Sequence, residues 1–566
     1  MAALWIAGCA SPEVARRDAD EAAGRIMDRY GRDTLGPAAD RSWFALDRPS
    51  DLLRQRLLSE HGLPYAVLTN LAPPRATAAE RLPDPVPLSL VDAVKIGVRN
   101  SRDYQDAKEA VFRVALELEL QCDAFRTSWA GLLSGGYDDA RGGESDLRAA
   151  TAGAEAGATR ALKTGGAIAG RIAVDLVRLL TGDRDRAMGL LADATVTLPL
   201  LRGAGRAVVT EPLTQAERNV VYAMLGFDRF RQTYAVRVAQ EYYDALDAWQ
   251  RVENSRDNLD RLTAAVDRAR EMALAGRLPA IEVAQTRQDQ LRAQDRLFSA
   301  RFEAEGLTDS LKTTIGLPPD ARVQLDMADL DRLPDPGGAD AAGAEKGSDP
   351  TASLPPPPDE TEHIRAALEH RQDLRVALGR AEDARRAARV AADALRADAK
   401  LEMTGAAGEA RSASNADGGD AGLGDAQRLG ARLEFGLPWE RTKERIAYRN
   451  RLIDADRAGR AAEEAEDAVK RDVLDAMRSF DQAARSCVIQ AEAVRVAMRR
   501  VDAVNLFQMA GRAQTRDLLE AQEALLSARN ALSSARIARR MSALNLARDT
   551  GRLALTEEGF RHDTIP

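Results

Sequence analysis

Four histidines, three cysteines and one glycine-rich stretch are where this 566-residue sequence could hold chemistry. His61, His363, His370 and His562 form no cluster at ligand spacing. His363 and His370 share a helical face, but no third ligand accompanies them, so no metal site is expected. Cys122 and Cys487 fall within helical patterns, and an odd cysteine count without Cys-x-x-Cys gives no disulfide framework. Gly165-Gly166-Ala167-Ile168-Ala169-Gly170 lacks the preceding hydrophobic strand and the downstream acid of a phosphate-binding loop. No paired nucleophile and base and no cofactor motif is present, so no enzyme activity, cofactor or catalytic residue is expected. Cys9 differs. It follows Leu4-Trp5-Ile6-Ala7-Gly8 and precedes Ala10-Ser11-Pro12, the small-residue pattern of a bacterial lipobox, in which the thiol carries lipid. Only eight residues precede it and none is Lys or Arg, shorter than a full signal peptide. Lipidation at Cys9 is the expectation, with 1–9 a residual signal segment.

Residues so sparse in chemistry must be judged by the elements that carry them. Aromatics make up 4% and charged residues 30% of the chain, with Ala and Arg abundant, a composition for long helices packed side by side. The net charge of −8 is spread along the chain without a basic stripe, which argues against nucleic acid as a partner. No apolar run reaches the roughly 18–20 residues of a membrane helix.

Residues 88–317 lie over 360–551 as two copies of one unit. Gly276 and Gly511 each open a turn and each precede a second glycine, Gly316 or Gly551, by 40 positions. Ile96 to Tyr104 corresponds to Ala366 to Leu374. No proline occurs between Pro212 and Pro279, nor between Pro438 and Pro566, which permits very long helices. At 1.5 Å per residue, 213–275 and 440–509 would each span about 95–105 Å, and helices of that length must pack in a coiled-coil-like bundle. Tyr242, Leu246, Trp249, Val252, Leu259 and Leu262 supply such a stripe.

Other segments alternate with period two. Leu429, Ala431, Leu433, Phe435 and Leu437 alternate with Arg428, Gly430, Arg432, Glu434 and Gly436; Ala194, Val196, Leu198 and Leu200 alternate with Asp193, Thr195, Thr197 and Pro199. Residues 125–133 and 399–405 alternate more loosely. Strands of this length fit a membrane sheet with lipid on one side and a lumen on the other. Four strands per chain cannot close a barrel alone, so they require oligomerisation. Residues 134–191 are long for a hairpin loop and contain an apolar, helix-like run to Leu180. The division expected is a 10–87 extension, a first repeat 88–320 with strands near 125–133 and 192–200, and a Pro/Gly-rich linker 321–359. A second repeat 360–555 with strands near 399–405 and 428–438 and a tail 556–566 complete it.

Leu88-Ser89-Leu90-Val91-Asp92-Ala93, Leu198-Pro199-Leu200-Leu201-Arg202-Gly203, the Ala-Gly turns at 275–276 and 510–511, and the segment Ala367 to Arg375 resemble, as a set ordered along the chain, the TolC-type family of outer-membrane factors. In the last of these, Gln372 stands where the family has proline. The resemblance covers about 88–555. It implies a mainly α fold with a small transmembrane β part. Long antiparallel coiled-coil-like helices and two internal repeats would build a homotrimer in which four strands per chain form a 12-stranded barrel above a periplasmic tunnel. It implies export through the outer membrane of a bacterium, with outer-membrane lipid around the barrel and a periplasmic adaptor and inner-membrane transporter as partners. Carried over residue by residue, Asp517 and Glu520, with Glu282 in the first repeat, become a charged channel gate. The turns Gly276-Arg277-Leu278 and Gly511-Arg512-Ala513 become adaptor-docking sites. The family's basic residue two positions after the second glycine is missing, since Ala513 stands there with Arg512 adjacent. The competing reading is a coiled-coil structural protein of the cell envelope without a pore, and the alternating segments argue against it.

Overall fold

The computed structural model describes residues 11–36, 44, 46, 52–63, 83–140, 147–180, 186–333, 359–410, 420–424, 426–437, 439–510, 512–556 and 559–560. Cys9, Gly511, His562 and most of the 321–359 linker lie outside these residues.

The chain opens with α1 (Pro12–Leu35), α2 (Leu53–Glu60), β1 (Val86–Leu88), α3 (Leu90–Asn100) and α4 (Arg102–Asp123). Four strands follow: β2 (Thr127–Ala140), β3 (Leu147–Ala161), β4 (Ala167–Leu179) and β5 (Ala187–Pro199). After the short α5 (Arg206–Val209) come α6 (Glu211–Leu274), α7 (Ala280–Thr314), β6 (Val323–Leu325) and α8 (Ala328–Asp331). The second half runs α9 (Glu360–His370), α10 (Gln372–Asp393), β7 (Asp398–Glu409), β8 (Gln427–Gly436), α11 (Thr442–Met509) and α12 (Thr515–Asp549). The small strands β9 (Leu555–Thr556) and β10 (Gly559–Phe560) close the described chain.

The long helices form where proline is absent. Pro212 sits in the first turn of α6, where its missing N–H has no intrahelical partner to lose. With 64 and 68 residues, α6 and α11 rise through about 96 and 102 Å at 1.5 Å per residue. Each is followed by a backbone hydrogen bond that reaches back into its last turns. At the end of α6, Gly276 takes φ +70°, which an L side chain strains to adopt, and the Arg277 N–H reaches back to the Met272 carbonyl at 2.9 Å. At the end of α11 the Arg512 N–H reaches the Phe507 carbonyl at 2.8 Å in the same pattern.

The chain divides into two compact units. One comprises Met1–Trp43, Val111–Met224 and Val376–Glu463; the other Phe44–Ala110, Leu225–Arg375 and Glu464–Pro566. The first contains the antiparallel sheet described below. At its helical end the Tyr222 hydroxyl donates to Asp383 at 2.7 Å, and Arg386 pairs with Glu211 at 2.7 Å. Burial, then the hydrogen bond to Asp383, pushes the Tyr222 phenol up to about 12.

The second unit has a helical core. Tyr234, Val238, Tyr242 and Leu246 recur at steps of four on α6 and are buried. Tyr104 meets Phe227 and Tyr234 edge to face and Phe230 at a tilt, while Phe230 stacks on Tyr234, with centroids 5.3–5.8 Å apart. A second cluster joins Ala367 and Leu374 to Val469, Val473 and Met477 of α11 and Leu546 of α12. The two halves end alike here. A Cβ at Gly316, after α7, would stand 2.1 Å from the Asn100 carbonyl oxygen at the end of α3, and one at Gly551, after α12, 2.9 Å from the His370 Cβ at the end of α9.

The expectation of four strands is corrected by the structure, in which the described residues form a six-stranded sheet in the order β2-β3-β4-β5-β7-β8. The two additional strands are β3 and β4, within the segment 134–191 that reads as a long loop with a helix-like run. The reason is arithmetic. Ile168, Ile172 and Leu176 recur every four residues, which suits a helical face of period 3.6 and a strand face of period two equally. In β3, Ala and Gly occupy most positions, so the polar–apolar contrast that reveals a strand is weak. β2 also runs on to Ala140, beyond the expected end at 133.

Candidate functional site

The sheet is the first part of the candidate site, and its register fixes which residues share a face. Every neighbouring pair is antiparallel. Directly opposed residues point to the same side and alternate residues point to opposite sides. Pairing Trp129 with Ala158, Ala156 with Ile172, Ile172 with Ala192, Ala194 with Gly405 and Gly405 with Leu429 therefore defines one face across all six strands. It carries Trp129, Leu133 and Tyr137 of β2, five alanines of β3 from Ala150 to Ala158, Ile168, Ile172 and Leu176 of β4, Met188 of β5, Met403 of β7, and Leu429, Leu433 and Phe435 of β8. These large side chains are exposed: Trp129 is 81% and Leu429 95% accessible. An apolar surface of this extent does not stand in water on a solitary soluble domain.

The opposite face is polar. Thr151, Glu155 and Thr159 of β3, Arg171 and Asp175 of β4, Asp193, Thr195 and Thr197 of β5, Lys400, Glu402 and Thr404 of β7, and Arg428, Arg432 and Glu434 of β8 lie on it. Arg171 bridges two strands, with Asp193 at 2.8 Å and Glu155 at 3.6 Å. Leu132 is the large exposed apolar residue on this side. At 10–15 residues the strands are long enough to cross a hydrocarbon layer at a tilt. Among the described residues no helix is long and apolar enough to do so. Trp129 lies shortly after α4, and Phe435 and the exposed Trp439 lie shortly before α11, so each edge strand carries a large aromatic side chain at its helical end.

The helix-hairpin turns are the second part. Gly276, Arg277 and Leu278 link α6 to α7, with open space around Gly276. Arg512 and Ala513 stand between α11 and α12. Of the acids read as a gate, Asp517 caps its own helix, its carboxylate accepting the Gln514 N–H at 3.0 Å. Glu520 accepts from Arg500 of α11 at 2.8 Å, so it ties the two arms of the hairpin together. Glu282 lies in the first turn of α7. Arg500, which sequence spacing from the turn glycine does not single out, is thus the basic partner of Glu520.

The segment from Ala367 to Arg375 has a clear physical role. Arg371 is 4% exposed. Its guanidinium donates to Asp373 at 2.6 Å and to Asp472 of α11 at 3.0 Å. Burial opposes ionisation of Asp373, but Arg371 overcomes it and holds the carboxyl below its ordinary value. Gln372, in the family's proline place, donates to Asp228 of α6 at 2.7 Å. Burial pushes the Asp228 carboxyl up. The histidines on α9 are used locally: His363 and His370 set Nδ1 2.9 Å from the carbonyls of Asp359 and Ala366. No group of three metal-ligating side chains occurs among the described residues.

No protein-family model and no curated protein matches the sequence. Solved structures do match. The outer-membrane protein VceC of Vibrio cholerae is 14% identical at a TM-score of 0.57, covering 82% of this chain and 96% of that one. The outer-membrane channel CmeC of Campylobacter jejuni is 13% identical at a TM-score of 0.57, over 82% and 85%. The outer-membrane channel MtrE of Neisseria gonorrhoeae, solved in its open state, is 14% identical at a TM-score of 0.55, over 82% and 88%. At such identities the likeness is one of fold, and the fold of this chain is that of the TolC-type outer-membrane channels.

Proposed function

We propose that this chain is the outer-membrane channel subunit of a tripartite efflux or secretion system. Three copies form a passive conduit, driven by an inner-membrane transporter acting through a periplasmic adaptor. The observation that carries the reading is the two-faced sheet. An exposed apolar face for lipid backs a charged face for water, on strands continuous in sequence with helices of about 100 Å. In this reading the turns at 276–278 and 511–513 receive the adaptor, and Asp517, Glu520 and Glu282 line the periplasmic entrance. Cys9 carries the lipid anchor. Energy comes from the partner, since the sequence has no phosphate-binding loop.

The test is purification of the full chain from membranes in mild detergent, followed by incorporation into a planar bilayer. Discrete conductance steps are expected, and in the producing bacterium deletion of the gene should lower tolerance to exported compounds. A soluble particle that needs no detergent and leaves the bilayer silent would return the chain to a structural role in the envelope, as a coiled-coil protein without a pore.

A further inference from the structure

The two halves of this chain are unequal where they cross the sheet. Between α10 and α11 the described chain makes two strands, β7 and β8; between α4 and α6 it makes four. The sheet has open edges at β2 and β8, and both edge strands are exposed along their described side chains except at Gly436, which ends β8. Its apolar face continues to each edge, through Trp129, Leu133 and Tyr137 on one side and Leu429, Leu433 and Phe435 on the other. An open edge in hydrocarbon leaves a row of N–H and C=O groups unpaired, each at a cost of several kcal/mol. Six strands cannot cover their own edges, because closed bacterial barrels begin at about eight. The edges also match. With six antiparallel strands, β2 and β8 run in opposite directions, so β8 of one copy meets β2 of the next as an antiparallel pair. The start of β2 and the end of β8 both adjoin long helices, so this pairing keeps the helices of all copies at the same end.

We propose that the occupant of these edges is a second copy of the chain and that the ring closes with six strands per copy. In the three-copy assembly of the preceding subsection, on which this count rests, the barrel has eighteen strands. The β3–β4 hairpin is then a pore-widening element. Barrel diameter grows roughly in proportion to strand number, so an eighteen-strand ring is about half again as wide as a twelve-strand one and about twice its cross-section. The added strands also bring Glu155, Arg171 and Asp175 to the water-facing side, where Arg171 joins Glu155 to Asp193 of β5.

The hairpin can be removed without reversing the chain, since β2 and β5 run antiparallel once β3 and β4 are gone. A variant in which a short Asn-Gly turn replaces residues 141–186 should assemble with the same number of copies into a ring about two thirds as wide in electron-microscope images. Rings of equal width in the two proteins would overturn the proposal, as would electron-microscope images of the full chain in which β3 and β4 lie outside a twelve-strand ring. Should the shortened chain fail to assemble, the seam is read directly in the full chain. Leu433→Cys is combined in turn with Trp129→Cys, Leu133→Cys and Tyr137→Cys. One pair should oxidise to covalent dimers and trimers that neither single cysteine gives, and no cross-link from any pair would overturn the seam. A closed eighteen-strand ring that does not conduct would overturn the export reading and leave this one standing; a conducting twelve-strand ring would do the reverse.

Discussion

Removing the Arg371 guanidinium leaves Asp373 and Asp472 without their shared partner beside a buried cluster of Ala367, Leu374 and Val473. Both carboxylates keep access to water, so the expected loss for Arg371→Ala is about 1–3 kcal/mol, smaller than for a wholly buried pair. A lowered thermal midpoint, absent in Arg385→Ala, would bear this out. The same neighbourhood sets a pH dependence. Asp373 is held below its ordinary value, so its contribution is complete above about pH 4, the unfolded value, and is lost as pH falls through the lower folded value. Asp228 runs the other way: its folded value is raised, so its cost is complete above that value and disappears as pH falls toward about 4. Asp228→Asn should therefore remove the part of the stability curve that declines with rising pH, as denaturant titrations between pH 4 and 7 would register. Glu520 belongs at this scale too. Its pair with Arg500 is exposed and worth little to stability, about 0–1 kcal/mol. Glu520→Gln should leave the thermal midpoint almost unchanged yet alter single-channel conductance if the acid lines the entrance. Conductance identical to the parent's would remove Glu520 from the gate.

The elements differ in how plainly their sequences declare them. The helices α6 and α11 are legible because proline is missing over long spans and glycine ends each run, and both features act on the backbone itself. β5 and β8 are legible because Thr, Arg and Glu alternate with Val, Leu and Phe. β3 and β4 are hidden, one because Ala and Gly blur the alternation, the other because isoleucines four apart satisfy two periods at once. The faces of the sheet yield a direct prediction. Ile172→Arg, on the apolar side, should cost about 2–4 kcal/mol if it lies near the middle of the membrane. Thr195→Arg, on the polar side of the adjacent strand, should be tolerated. Comparing the yield of folded protein in outer-membrane fractions distinguishes the two, and equal yields would deny that the apolar face meets lipid. At the turns, Gly276→Trp places a bulky side chain in open space at a backbone angle that strains it. Adaptor cross-linking should fall while copy number holds, whereas unchanged cross-linking would remove this turn from the docking surface.

For the whole molecule, the fold was legible from ordered weak motifs and the candidate site only in part. Spacing from the turn glycines leads to Asp517 and Glu520, but the tie between Glu520 and Arg500 depends on two helices folding back on each other, which no linear spacing expresses. The sheet held the larger surprise, and one property of it reaches beyond this chain. A strand reverses the direction of travel, and the helices before and after the sheet must emerge on the same side. In the proposed channel, any segment gained or lost within the sheet must therefore contain an even number of strands, or the protein downstream is delivered to the wrong side of the membrane. Pore width in such an architecture cannot drift; it changes by whole hairpins, multiplied by the number of subunits, and a single duplicated or deleted hairpin is enough to take the step.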